Sequence, residues 1–91
     1  MAAAHEPLTT DALHEMIGLR RPGIGPLDGG TRLGDIAVTG VDRLWLVAAI
    51  EDRFGIEFPA DLVTAVETVG DLIHYTNLKV EQRRADIGAD R

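Results

Sequence analysis

The segment from Val41 to Phe54 constrains the fold more than any other part of the chain, because it has the pattern of an amphipathic helix. Four apolar side chains fall within one stripe about 100° wide, as a core-facing helix requires. They are Leu46, Val47, Ile50 and Phe54. Gly55 then ends the helix, and a short extended run leads to Pro59. The pattern predicts a central helix whose main apolar face builds the core.

Trp45 lies on the other side of the same helix, about 155° from the middle of the core stripe. Val41, Leu44 and Ala48 lie beside it at helical spacings. Two explanations remain open: the preceding loop covers this side, or the side is a docking surface for a partner protein. The second explanation gives six candidate partner-binding residues. They are Val41, Leu44, Trp45, Ala48, Glu51 and Asp52, the last two being either a solvated face or an electrostatic contact.

Two more helices and one short helical turn are predicted around this centre. The first helix covers Leu8 to Leu19 with Thr9 or Thr10 as its cap, the turn covers Ala60 to Val66, and the last helix runs from the cap Thr68 to Val80. A long connection rich in glycine and proline joins the first helix to the central one. Its apolar residues are expected to hold it against the helices. They are Leu27, Leu33, Ile36 and Val38.

The chain is expected to be one small domain, with a flexible arm over residues 1–7, a helical domain over 8–80 and a polar tail over 81–91. A net charge of −6 argues against nucleic acid as a partner. No apolar run approaches the length of about 20 residues that a membrane span needs. The start does not have the order of a signal peptide, and the chain has no cysteine, so a cytoplasmic location is predicted.

The sequence offers little to support catalysis. His5, His14 and His74 have no partner at a spacing typical of metal ligands, and cysteine is absent, so no metal site is expected. No nucleophile, base and orienting residue can be grouped from the pattern. The chain is therefore predicted not to be an enzyme.

Three segments resemble the acyl carrier protein family. They are Leu33-Gly34-Asp35, the stretch from Ala48 to Pro59 that ends in Phe-Gly-Ile-Glu-Phe-Pro, and Thr68-Val69-Gly70-Asp71-Leu72. The resemblance extends over about residues 8–80. It implies an all-α, four-helix bundle of three longer helices and one short one, with a long first loop.

The chain departs from this family at the attachment site. Family members carry phosphopantetheine on a serine within an Asp-Ser-Leu motif at the start of the central helix. Counting back from Phe54 without gaps places Thr39, Gly40 and Val41 in these positions, so that Gly40 replaces the serine. A different gap would place Arg43 there instead. The whole chain contains no serine, so neither alignment supplies the hydroxyl.

The resemblance and the missing serine together suggest a non-catalytic protein without a cofactor, which docks on an enzyme of acyl, polyketide or aminoacyl metabolism. Trp45 replaces a position that is commonly acidic in the family and is expected to be exposed. Its loss should weaken a partner complex by about 2 kcal/mol or more without unfolding the protein.

Three alternatives remain open. The chain could carry phosphopantetheine on Thr39, whose hydroxyl is one residue early, although Thr39 is also a plausible helix cap. It could be an ordinary carrier whose serine was removed by engineering. It could also be a helical module unrelated to acyl chemistry, such as a homodimer formed through the Trp45 face.

Overall fold

The structure is a computed structural model that describes residues 7–36 and 40–89, with side chains described as far as Ala85. This part of the chain forms five helices. They are α1 (Thr10–Gly18), α2 (Leu33–Ile36), α3 (Gly40–Phe54), α4 (Ala60–Ala65) and α5 (Val69–Ala89). The predicted all-α bundle with a long first loop is confirmed, and α2 is an additional short helix within that loop.

Helix boundaries follow the local signals in the sequence. Thr9 caps α1, because its hydroxyl oxygen accepts a hydrogen bond from the Ala12 amide at 3.1 Å. The Thr68 hydroxyl oxygen accepts one from the Asp71 amide, also at 3.1 Å, at the start of α5. Gly55 follows α3 with a φ of +67°, a left-handed conformation that glycine adopts without a steric penalty.

The core lies between α1, α3 and α5. The predicted stripe of α3 faces it, with Leu46, Val47 and Ile50 buried and Phe54 half-buried against the same cluster. Other helices and the loop supply the remaining buried apolar side chains. They are Leu8, Leu13, Met16, Ile17, Leu33, Ile36, Ile56, Val66, Val69, Leu72 and Val80.

Main-chain hydrogen bonds hold the long loop against the start of α5. The Leu33 amide donates to the Glu67 carbonyl at 2.8 Å, and the Val69 amide donates to the Thr31 carbonyl at 2.8 Å. Between them, Arg32 forms an isolated antiparallel bridge with Thr68. Three of the four apolar residues expected to hold the loop are packed against the helices: Leu33 and Ile36 are buried, and Leu27 is half-buried. The fourth, Val38, lies outside the described residues.

The last helix is longer than predicted. It was expected to give way to a polar tail after Val80, but α5 continues to Ala89. The five residues from Glu81 to Ala85 are strong helix formers, and Arg84 pairs with Glu81 at 3.1 Å one turn away. The expected helix end is therefore wrong, because losing an apolar face does not end a helix. Among the helices of the described residues, none has both the length and the apolarity of a membrane span.

Candidate functional site

The first turn of α3 contains Gly40, the residue that the gapless alignment predicts at the position of the attachment serine. Gly40 is the first residue of α3 and is exposed. A β-carbon placed on Gly40 would meet no described atom within 4 Å. The position therefore has room for a side chain, but glycine supplies no nucleophile. The weaker candidate Thr39 belongs to residues 37–39 and lies outside the described part of the chain.

Three residues of α3 form an exposed apolar strip, here called the outer stripe: Val41, Leu44 and Ala48. Val41 is 66% exposed and Leu44 is 62% exposed. Ala48 is exposed as well, one helical turn further on. Because residues three and four apart are neighbours on a helix, these side chains form one continuous surface. The structure thus brings together three of the six predicted partner-binding residues.

Trp45 does not belong to the outer stripe. It is half-buried and packs against the core, so the expectation of an exposed tryptophan is wrong. The guanidinium carbon of Arg20 lies 5.4 Å from the ring centroid, and the Arg20 Nε lies 3.3 Å from the Asp42 Oδ1. The chain just after α1 therefore covers the indole ring with a cation–π contact.

Arg20 and Arg21, which follow α1, both make tertiary contacts. Arg20 joins Trp45 and Asp42 as described. Arg21 donates from Nη1 to the Ile36 carbonyl at 2.7 Å. The two arginines connect the end of α1 to α3 and to the end of α2, and so fix the environment of the first turn of α3.

The two acidic candidates differ in their roles. The Glu51 carboxylate is half-buried, and its Oε2 accepts a hydrogen bond from the Phe58 amide at 2.7 Å. This contact ties the segment before α4 to α3. Asp52 is exposed. Of the pair, Asp52 is the carboxylate better placed for contact with a partner.

Arg43 crosses from α3 to the end of α4. Its Nη1 donates to the Val63 carbonyl at 3.2 Å and to the Val66 carbonyl at 3.0 Å. These contacts of Arg43 are not among the predicted site interactions. The sequence does contain a signal for a buried role. On a helical wheel with Leu46 at 0°, Arg43 falls at about 60°, inside the core stripe. A cation in that position needs acceptors, and the carbonyls of α4 provide them.

The histidines show no common site. The Nε2 of His14 lies 3.2 Å from the Ile24 carbonyl oxygen, His74 is exposed with its ring edge against Tyr75, and His5 lies outside the described residues. Among residues 7–36 and 40–85, no group of three or more histidine or acidic side chains is arranged to hold a metal ion.

Three curated relatives are similar to part of the chain. Acyl carrier protein 3 of Ralstonia nicotianae is 39% identical over 51 residues, which is 56% of this chain and 59% of the relative. The acyl carrier protein of Sinorhizobium fredii and the acyl carrier protein AcpP of Rhizobium meliloti are each 33% identical over 48 residues, 53% of this chain and 62% of the relative. The matched region thus spans less than two thirds of each relative. No family model matches the chain.

One solved structure matches nearly the whole bundle. The solution structure of the acetyl actinorhodin acyl carrier protein from Streptomyces coelicolor superposes with a TM-score of 0.69, covering 87% of this chain and 98% of that protein. The identity is 23%, so this match establishes the fold. With the three relatives, it confirms the resemblance to acyl carrier proteins that the sequence motifs indicated.

Proposed function

We propose that this chain, with the fold and sequence pattern of an acyl carrier protein, acts by binding a partner rather than by carrying phosphopantetheine. One observation carries the proposal: none of the 91 residues is a serine, so neither Gly40 in the gapless alignment nor Arg43 in the alternative supplies the attachment hydroxyl. Transfer of phosphopantetheine requires an oxygen nucleophile at this turn, and glycine has none. The protein would therefore have neither a catalytic role nor a bound cofactor.

The proposed partner is an enzyme of acyl, polyketide or aminoacyl metabolism, and the outer stripe is its binding surface. Val41 and Leu44 expose most of their apolar side chains, which favours contact with a protein surface over contact with water. Asp42, between them in sequence, is paired with Arg20, so the local charge is partly balanced. The whole chain has a net charge of −6, which would favour a partner with basic patches around its docking site.

The carrier question is tested by intact-mass measurement after incubation with coenzyme A and a promiscuous phosphopantetheinyl transferase. Gly40→Ser is the matched control, because a β-carbon at this position meets no described neighbour within 4 Å. The wild-type chain should show no mass increase, and Gly40→Ser should gain one phosphopantetheine group. A gain on the wild-type chain, or on protein purified from its native host, would overturn the proposal. If that gain is located at Thr39, the chain is a carrier with an unusual attachment site.

The docking surface is tested by affinity purification from the native host with wild-type protein, Leu44→Asp and Leu78→Asp. Leu78 is a suitable control, because it is an exposed leucine on α5 rather than on the outer stripe. An enzyme of the proposed class should bind the wild type and Leu78→Asp, and its purified form should bind Leu44→Asp at least about tenfold more weakly. If the enzyme binds all three proteins equally, the outer stripe is not the binding surface.

Light scattering on the same three proteins addresses self-association. All three proteins should be monomers at every concentration. A concentration-dependent dimer that is lost in Leu44→Asp and kept in Leu78→Asp would instead identify the outer stripe as a homodimer interface.

A further inference from the structure

Side chains of α3 hold α4 at both of its ends. The Glu51 carboxylate accepts from the Phe58 amide at 2.7 Å, just before α4 begins. Arg43 donates to the carbonyls of Val63 and Val66 at 3.2 Å and 3.0 Å, where α4 ends. Since Glu51 lies near the end of α3 and Arg43 near its start, α4 runs antiparallel to α3.

Besides these hydrogen bonds, α4 is held by limited apolar packing, with Leu62 half-buried against the core and Val66, just after the helix, buried. It has six residues, all of them described, and none is buried. Pro59 precedes it, and within the described residues no side chain caps its first turn. A helix of this length is not stable by itself, because nucleation is costly and the last carbonyls lack partners within the helix. The Arg43 guanidinium supplies such partners.

A narrow apolar pocket lies between α3, α4 and α5, with Arg43 as the charged member of its lining. The pocket volume is about 10 Å³, which leaves space for no more than about one water molecule. The other lining residues are Leu33, Leu46, Val47, Phe58, Leu62, Val63, Val66 and Leu72. Leu62 and Val63 belong to α4, so a movement of α4 would change the pocket directly.

We infer that Arg43 is a latch: its hydrogen bonds hold the end of α4 on α3 and keep the pocket narrow, and their release widens it. Hydrogen bonds from a cation are stronger than those between neutral groups, and a guanidinium can reach two carbonyls at once. Arg43 acts as a positioning residue, through α4. The inference concerns the isolated chain and does not depend on the docking proposal.

Hydrogen exchange of the full chain tests the latch with Arg43→Met and Arg43→Lys, and Arg53→Met is the matched control. Arg53 belongs to the same helix and is exposed, and its guanidinium carbon lies 5.8 Å from the Phe54 ring centroid, on α3 itself rather than on α4. In Arg43→Met, the amides of Leu62, Val63 and Val66 should exchange at least about tenfold faster, because a charge-assisted hydrogen bond contributes that much. Amides of α1 and α5 should keep their wild-type rates, and Arg43→Lys should be intermediate.

Binding of the dye anilinonaphthalene sulfonate to the same variants reports on the pocket. Its fluorescence should rise with Arg43→Met and stay at the wild-type level with Arg53→Met. Wild-type exchange rates in Arg43→Met would overturn the inference. An equal increase of the exchange rates in all helices would also overturn it, because Arg43 would then stabilise the whole fold rather than α4.

A measurement on the unaltered chain covers the case in which Arg43→Met does not fold. In the nuclear magnetic resonance spectrum of the arginine side chains, rotation about the Nε–Cζ bond should be slower for Arg43 than for Arg53, because the two carbonyls restrain one guanidinium only. The same fast rotation in both side chains would show that no latch is formed.

Discussion

The backbones of Gly29 and Gly70 are in direct contact where the long loop meets the start of α5. The Gly70 amide donates a hydrogen bond to the Gly29 carbonyl at 2.9 Å. A β-carbon on Gly70 would lie 2.8 Å from that same oxygen, closer than real contacts allow. The approach of loop to helix therefore requires glycine at position 70.

Gly70→Ala should destabilise the protein by about 1–3 kcal/mol, because the added methyl group would push the loop off α5. Gly34→Ala is the control, since a β-carbon on Gly34 meets no described neighbour within 4 Å and the position is helical and exposed. This control should be neutral or stabilising by up to about 1 kcal/mol. Urea denaturation measures the free energy of unfolding of both variants. Equal stability of the two would contradict the close approach of the Gly29 and Gly70 backbones.

Glu51→Ala should reduce stability by about 1–2 kcal/mol, because the Phe58 amide loses its charged acceptor. Asp52→Ala, the neighbouring exposed carboxylate, should change stability by less than about 0.5 kcal/mol. Thermal and urea denaturation of the two variants give the comparison. Unchanged stability in Glu51→Ala, together with weaker partner binding, would return Glu51 to the docking surface.

Trp45→Ala should destabilise the fold by about 2 kcal/mol, because the half-buried ring packs against the core and under Arg20. Leu44→Ala, on the outer stripe, should leave stability within about 0.5 kcal/mol of wild type. If partner binding is lost in Leu44→Ala while its melting temperature is kept, Leu44 is the interface anchor. A Trp45→Ala variant as stable as wild type would restore the original view of Trp45 as a surface residue.

Asn77→Ala should free the segment before α1. The Asn77 side-chain amide accepts from the Leu8 amide at 2.7 Å and donates to the Leu8 carbonyl at 3.1 Å, joining residues at opposite ends of the chain. Loss of both hydrogen bonds should lower the free energy of unfolding by about 1–2 kcal/mol and accelerate hydrogen exchange of the Leu8 amide. Gln82→Ala removes an exposed amide from the same helix and should change neither quantity. Protection of Leu8 that survives in Asn77→Ala would contradict the role of Asn77.

Local patterns predicted four of the five helices, but neither the short α2 nor the continuation of α5 to Ala89. The caps at Thr9 and Thr68, the end of α3 at Gly55 and the buried stripe of α3 all depend on residues a few positions apart. Such signals reflect the hydrogen-bonding needs of helix ends and the period of the helix, both of which are present in the sequence itself.

The candidate site was less predictable, because its contacts are between distant residues. The helical wheel of α3 places Trp45 opposite the core stripe. The wheel contains no information on Arg20, whose guanidinium packs on the Trp45 ring in the fold. The position of Arg43 within the core stripe indicates that its side chain needs hydrogen-bond acceptors. Only the folded structure shows that these acceptors are the carbonyls of Val63 and Val66. The position of Gly40 came from the family motif, not from any physical signal in the turn.

The Arg32–Thr68 bridge also has a kinetic consequence. It closes a loop of chain that contains all of α3 and α4, and the entropy lost on such closure must be overcome before the bridge contributes any energy. We expect the antiparallel α3 and α4 to associate first and the long loop to join α5 after the rate-limiting step. Gly70→Ala should then accelerate unfolding and leave the folding rate almost unchanged, whereas a slower folding rate would place the bridge in the transition state.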